Sequence, residues 1–556
     1  MDPSLSDAEP TPSQADAAVP MVPREVELKL FVPATSVAVL RAHPLWVGRS
    51  VAPLRVSRID NRYFDTPERE LAARGMALRL RRVGRRWVQT LKVAEPGEGA
   101  LSVRGEWEMP VAGPALELAL LKDTPLSSLG SLRTLGRRLA PMFTTNFRRE
   151  ARMVALKDGA LVECAFDVGV IASGRGRTRR VLSICELEIE VKQDSAVGAL
   201  PDLMRFAARL TRDMPLIPLA ASKAARGHRL SADEPLLAVK ARLPIPDPGD
   251  GARLHMARVL EACNRALLDN VHALLEATRH QVAADVDLEF VHQARVAVRR
   301  MRSALRTFRS VLDRQRVADL DAWLTATGHA LGVARDWDVF ATTLHKRLDQ
   351  EVATDAEGRA AVDAMRGEAC LRRAEAHAAL RDHCLQGPFG ATTIAIERMA
   401  TRLRAEAGGK HDARLAACAP AWLSSQRDRL IERSRRIAVL DTAQRHALRV
   451  EVKRLRYALD LLESLYDKRD VEAFRDALAD LQDKLGKLND VVVADTLIDA
   501  MTGDAGAALV RTRFRGWLVP HVRKQLPKVA ALSVEFELVH PPWLARHETV
   551  LDGDSA

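Results

Sequence analysis

Glu25, Glu27 and Lys29 stand two apart in an alternating run, and the same spacing recurs through the first half of the chain. It returns in Arg79 and Arg81, in Thr90 and Lys92, in Arg104, Glu106 and Glu108, and in Glu186, Glu188 and Glu190. Successive side chains of an extended strand leave opposite faces, so each set forms a row on one face. One such row is ordinarily the wet face of an antiparallel sheet. The set is less ordinary, because wet faces mix Lys, Thr, Ser and Gln, whereas some of these rows are almost all carboxylate and others almost all base. Turned inward in a closed sheet, they make a polar bore with acid facing base. Clustered carboxylates suit a hard divalent cation, and the opposing ammonium and guanidinium groups suit a chain of phosphates.

A second constellation lies in the other half. His292-Gln-Ala-Arg-Val-Ala-Val-Arg-Arg-Met-Arg recurs as His446-Ala-Leu-Arg-Val-Glu-Val-Lys-Arg-Leu-Arg. Arg295 therefore matches Arg449, Arg299 matches Lys453, Arg300 matches Arg454 and Arg302 matches Arg456. Downstream, Leu331-Gly-Val-Ala-Arg-Asp matches Leu485-Gly-Lys-Leu-Asn-Asp at the same offset. Two blocks in register imply a duplication and a pseudo-twofold pair of helical bundles. At ~100° per residue, His292, Arg295, Arg299, Arg302 and Arg306 fall within an arc of roughly 80° and form one continuous basic stripe. His446, Arg449, Lys453 and Arg456 repeat it. The ordinary reading is a solvated cationic face, but few carboxylates are interleaved to neutralise it at helical spacing. A phosphate polymer is the partner expected. His292 and His446 either touch phosphate or cap and pack their helices, and Asp336, Asp338 and Asp490 either pair with the stripes or end a helix.

The elements that position these residues follow from periodicity. From Glu25 to about Arg229 the runs REVELKLFV, MALRLRRVG, RWVQTLKVA, LSVRGEWEM, LVECAFDVGVI and SICELEIEV alternate with period two, which predicts an antiparallel barrel or curved sheet. Around 233–253 the chain turns rich in Pro, Asp and Gly and reads as a linker. Beyond it, apolar residues recur three and four apart, which predicts an all-α region of bundles. The expected division is a disordered tail at 1–23, a β domain at 24–232, the linker, a helical domain with its internal repeat at 254–546, and a second tail at 547–556.

Composition sets outer bounds. The chain has 556 residues, too many for one core, with 47% hydrophobic and 28% charged residues. No run approaches the ~18 apolar residues of a membrane helix, and residues 1–23 lack a signal peptide's basic start and apolar stretch. The six cysteines form no CxxC pair, which points to reduced thiols in a cytoplasm and against zinc. A net charge of +11 predicts a polyanionic partner. Aromatic residues make up only 4%, few for stacking bases, so nucleic acid is not expected.

On these residues the chain resembles two known families. Glu25-Val-Glu-Leu-Lys29 is similar to the ExExK signature of the CYTH family, the triphosphate tunnel metalloenzymes. Tyr63-Phe-Asp-Thr66, Gly75-Met-Ala-Leu-Arg79-Leu-Arg81, Thr90-Leu-Lys92, Phe147-Arg-Arg149, Asp167, Glu186-Leu-Glu188-Ile-Glu190 and Ser222-Lys223-Ala-Ala-Arg-Gly follow in the family's order. The duplicated HxxR blocks resemble the CHAD domain, a helical module taken to bind inorganic polyphosphate. The resemblance implies an α+β multidomain protein: an eight-stranded antiparallel tunnel, then a duplicated helical bundle. It implies hydrolysis of inorganic triphosphate to pyrophosphate and phosphate with Mg²⁺ or Mn²⁺, with polyphosphate held by the helical domain. By this resemblance Glu25 and Glu27 with two of Glu186, Glu188 and Glu190 bind metal. Lys29, Arg79, Arg81, Lys92, Arg104, Arg149 and Lys223 bind triphosphate. Glu25, Glu27, Lys29, Asp167 and Lys223 make the catalytic set, with Asp167 either a metal- or water-positioning acid or a turn residue before Gly169. His292, Arg295, Arg299, Arg300, Arg302, Arg306, His446, Arg449, Lys453, Arg454 and Arg456 would bind polyphosphate. The alternatives are a non-catalytic polyphosphate-binding protein of granules, and a triphosphatase acting on thiamine triphosphate or a nucleotide.

Overall fold

The computed structural model describes residues 24–94, 101–157, 159–192, 199–279, 284–386, 388–409, 412–501 and 505–544. The side chain of Arg104 and both expected tails lie outside the described residues.

Eight strands alternate with short helical turns in the first half. They are β1 Arg24–Phe31, β2 Arg55–Asp65, β3 Met76–Val83, β4 Arg86–Ala94, β5 Leu101–Val111, β6 Ala140–Ala155, β7 Leu161–Ser173 and β8 Arg180–Val191. Short helices α1 Val37–Ala42, α2 Pro44–Val47, α3 Glu70–Ala73 and α4 Leu132–Arg138 join some of them. The strand order is β5-β4-β3-β2-β6-β7-β8-β1, and β5 also pairs with β1, so the sheet closes into a barrel whose named pairings are all antiparallel. A two-residue strand, β9 Ile217–Pro218, adds to β1.

The alternation read in the sequence is realised as an inverted barrel, with charge inside and apolar side chains outside. Leu28, Leu30, Phe166, Leu187 and Ile189 point outward and are fully buried under helices. Leu78 and Leu91 are covered by Leu121, Leu126 and Leu135 from the turns after β5. Helix α5, Leu200–Asp213, adds Leu203, Phe206 and Leu210 to the apolar cluster that holds Leu28 and Phe166, and α6, Lys223–Ser231, packs on β6, β7 and β8. Gly227 of α6 sits where a Cβ would lie 2.0 Å from the Phe143 ring, so only glycine lets the helix come this close.

The helical half comprises α7 Ala252–Arg279, α8 Ala284–Thr307, α9 Arg314–Val339, α10 His345–Glu351, α11 Ala356–Gln386, α12 Phe389–Glu406, α13 Leu415–Ser434, α14 Thr442–Asp460, α15 Lys468–Ala500 and α16 Ala505–Leu538. α7 packs on α8 and α12, and α8 packs on α9; α13 to α16 pack successively on the other side. The duplicated helices α8 and α14 meet between them, and Ser303 Oγ donates to the Arg454 carbonyl at 3.3 Å.

The chain has more than one apolar cluster, but the largest is not confined to one half. The largest apolar cluster runs unbroken from Leu28 and Phe166 on the barrel through Leu203 and Leu216 to Leu260, Leu267 and Ile394 of the helices. α12 packs on α5 and β9, and a Cβ on Gly390 would fall 1.7 Å from the Leu216 carbonyl oxygen. The linker is also docked: Asn270 of α7 bonds both Val239 N (3.1 Å) and Val239 O (2.8 Å), and Arg300 donates to Ala241 O at 2.9 Å.

Candidate functional site

The bore of the barrel is a cavity of about 890 Å³. Glu25, Glu27, Lys29, Arg79, Arg81, Lys92, Arg149, Glu188, Glu190 and Lys223 all line it, and so does the Glu106–Glu108 row. Among the described residues, cations and carboxylates on its wall are equal in number.

Strand register sets who faces whom. Glu27 lies opposite Glu190, Lys29 opposite Glu188, and Arg149 opposite Asp167. The Lys29 ammonium donates to Glu27 at 2.6 Å; Lys92 donates to Glu25 at 2.6 Å and lies 3.1 Å from Glu106. Arg149 makes two parallel hydrogen bonds of 2.7 Å to Asp167 and a further one to Glu188. Arg81 donates to Asn61 at 3.1 Å, and Arg79 lies 3.6 Å from Glu106.

Lys223 comes from outside the barrel. Ser222 caps α6, its Oγ accepting from Ala225 N at 3.1 Å, which fixes Lys223 as the first helical residue. From there its ammonium reaches Asp167 and Glu188, each at 2.7 Å, and also Glu186. Among the described residues, Asp167, Glu186 and Glu188 are the carboxylates that crowd within 4.8 Å as a metal site would. Their charge is already met by Lys223, Arg149 and Arg226. Asp167 and Glu186 are fully buried and are not on the cavity wall. Asp167 is not a turn residue: it sits mid-strand in β7.

Electrostatics divides the acids into two groups. Burial works against ionisation of Glu188, yet Lys223, Arg149 and Lys29 hold it well below the usual carboxylate range. Glu186 is likewise lowered against its burial by Arg226 and Lys223. Glu27 is raised, by burial first and then by Glu188 and Glu25. Glu190 is raised by burial, with Glu25 and Glu27 adding repulsion. Glu27 and Glu190 thus differ from Glu186 and Glu188: burial and neighbouring carboxylates work against their charge, whereas cations hold the other pair ionised.

Arg226 and Asn61 were not singled out from the sequence. Arg226 lies three residues after Lys223 and so on the same helix face, which was the available signal. Asn61 carried none.

The helical half holds a second polar cavity, of about 690 Å³, where α8, α9, α14 and α15 meet. His292, Arg295, Arg299, Arg300, His446, Arg449, Lys453 and Arg456 line it together, so the two halves of the repeat converge as the duplication implies. The pairing is duplicated too: Arg295 meets Asp336 at 3.2 Å, and Arg449 meets Asp490 at 3.9 Å. Asp338 serves elsewhere, buried against Arg373 and His377 at 2.8 Å each. His446 bonds Asn489 at 2.8 Å. The expected continuous stripe is corrected: it divides. Arg302 and Arg306 turn to Asp321, and Arg306 and Arg454 line a separate cavity with Trp422. Arg335, on the equivalent helix position to Asn489, joins the main cavity although the sequence reading had not assigned it. Lys453 is pushed down to about 7 by burial and by Arg449, Arg299 and Arg295. Arg299 and Arg449 are lowered as well, chiefly by burial.

Fold and cavities together define a charge-lined antiparallel tunnel fused to a duplicated helical domain with a cationic cavity. Residues 23–214 match the family model described as CYTH domain, and residues 265–499 match that described as CHAD domain. The chain therefore carries a CYTH domain followed by a CHAD domain. It is 30% identical over 183 residues to the inorganic triphosphatase of Haemophilus influenzae, an alignment covering 32% of this chain and 47% of that protein. The chain thus spans about half the length of the curated relative it matches. Among solved structures, the CHAD domain of Ricinus communis is 26% identical, with a TM-score of 0.46, covering 55% of this chain and 98% of that one. PptA from Streptomyces chartreusis is 17% identical, with a TM-score of 0.37, covering 52% and 99%. Among the described residues, no helix is long and apolar enough to cross a membrane.

Proposed function

We propose that this chain is a metal-dependent inorganic triphosphatase whose CHAD domain binds polyphosphate. The observation that carries the first part is the opposition of Glu27 and Glu190 in the bore, both raised by burial and by neighbouring carboxylates, beside a wall of bases. Glu25, Glu27, Glu188 and Glu190 would hold Mg²⁺ or Mn²⁺ by donor type, and such an ion would supply charge neutralisation and activation of water. Glu186 is left out of this set because Arg226 and Lys223 already hold it. Lys29, Arg79, Arg81, Lys92, Arg149 and Lys223 neutralise the phosphate chain and orient it along the bore. Asp167 positions rather than reacts, since it fixes the guanidinium of Arg149 and the ammonium of Lys223. Water oxygen bonds to the terminal phosphorus as its bond to the bridging oxygen breaks, which yields phosphate and pyrophosphate.

The second part rests on the helical cavity, where cations outnumber carboxylates two to one among the described residues. The relative's activity supports the triphosphatase reading over the aligned region. The test is phosphate release by the full chain with Mg²⁺ or Mn²⁺ from tripolyphosphate, ATP and thiamine triphosphate. Tripolyphosphate is expected to be turned over with the highest kcat/KM. Preference for an organic triphosphate would change the substrate, and no turnover of any would leave a binding protein.

A further inference from the structure

The tunnel wall is not supplied by the barrel alone. Arg265, Asp269, His272 and Glu276 recur along α7 at helical spacing and share one face. That face lies along the barrel. His272 Nε2 stands 2.8 Å from the Pro218 carbonyl oxygen, and its ring meets Phe31 edge-on at 5.9 Å. Glu276 accepts from Arg229 of α6, the helix that carries Lys223, at 2.8 Å. Further toward the N-terminus of α7, Arg265 and Asp269 reach the tunnel cavity itself. The two are 3.9 Å apart, with side chains 50% and 24% exposed. A helix seated in the shared core thus adds an arginine and an aspartate to the lining of the tunnel cavity.

The cavity also has room to spare. Tripolyphosphate has roughly thirteen non-hydrogen atoms; at no more than a water's ~30 Å³ each, it needs roughly 400 Å³. The bore offers about 890 Å³.

We propose that Arg265, on the helical domain, is a chain-length determinant of the tunnel. It takes the far phosphate of linear polyphosphates longer than triphosphate, which places one domain's residue in the other's substrate site. This rests on the triphosphatase reading above. A guanidinium matches phosphate oxygens bidentately, and its half exposure limits the gain to a modest factor.

The test uses the full chain carrying Arg295→Ala and Lys453→Ala, so that the helical cavity does not capture substrate, and compares linear tetraphosphate with tripolyphosphate. Adding Arg265→Ala should raise KM for tetraphosphate about three- to tenfold while kcat and both constants for tripolyphosphate stay within about twofold. Arg265→Lys should recover part of the loss. An unchanged KM for tetraphosphate, or an equal rise for both substrates, overturns the inference while the triphosphatase reading stands. Absence of turnover by the parent chain sinks that reading, and this one with it.

Discussion

The tunnel and the helical cavity both gather bases, but their charges are managed in opposite ways. In the tunnel, Lys92 and Arg149 are buried yet raised, because Glu25 and Glu106 flank the one and Asp167 and Glu188 the other. In the helical cavity, Arg299, Arg449 and Lys453 are lowered, by burial first and then by neighbouring cations, Arg295 among them in each case. Arg81 is the tunnel's exception, pushed down to about 10 by burial, Arg79 and Arg149. A bore with its charges already balanced gains little from an anion alone; it needs a cation to enter with it. A cavity with unbalanced bases gains directly from a polyanion. On the proposed function, the difference separates a site for a metal-bound, short substrate from one for a long chain.

The sharpest break of this comparison is the double substitution Glu25→Ala and Glu27→Ala. Removing two carboxylates from the metal set should lower kcat/KM for tripolyphosphate by about 10³-fold or more, with polyphosphate binding unchanged. Retained hydrolysis would mean the cation sits elsewhere, and Asp167 with Glu188 would be the next place to look.

Arg226→Leu tests the buried lattice behind the tunnel. Arg226 and Glu186 are a buried pair, and removing one partner of such a pair typically costs about 3–5 kcal/mol. Denaturant unfolding should show that loss, and a loss below about 1 kcal/mol would show that Lys223 alone suffices for Glu186.

Arg295→Ala with Arg449→Ala removes the duplicated pair from the helical cavity. Polyphosphate affinity should fall about ten- to a hundredfold by titration calorimetry, with tripolyphosphate hydrolysis within about twofold. A matching fall in hydrolysis would erase the distinction between the two regions.

The smallest effect concerns pH. Lys453 titrates near 7 when free, and a bound polyanion should return it towards the ordinary value of 10.5. Well below pH 7 the group is charged in both states, so binding takes up no proton there. Above 7 binding takes up a proton, and affinity should fall about tenfold between pH 7 and 8.5. Calorimetry in buffers of different ionisation enthalpy reads the uptake, and Lys453→Arg should abolish it.

Much of the barrel was legible because a strand has a period of two. That period put Glu25, Glu27 and Lys29 on one face, and their company of bases turned the face inward. The repeat was equally legible, since matching blocks at one offset need no structure to be seen. The sequence did not reveal the docking of α7 on the barrel or the continuous core. Those depend on which apolar faces meet, and every amphipathic helix offers such a face.

By itself, then, the sequence determined the rows, the order of the two domains and the duplication. Periodicity can assign a residue to a face, but it cannot assign depth along that face. Glu186, Glu188 and Glu190 are equivalent by alternation, and only α6 distinguishes them, by bringing Arg226 to Glu186 and leaving Glu190 opposite Glu27. Arg295 and Arg306 share one helical arc, and only the packing around α8 sends one to the main cavity and the other to Asp321. Burial and charge pairing are settled between elements far apart in the chain, and so the tertiary structure decided which members of each row are free to act.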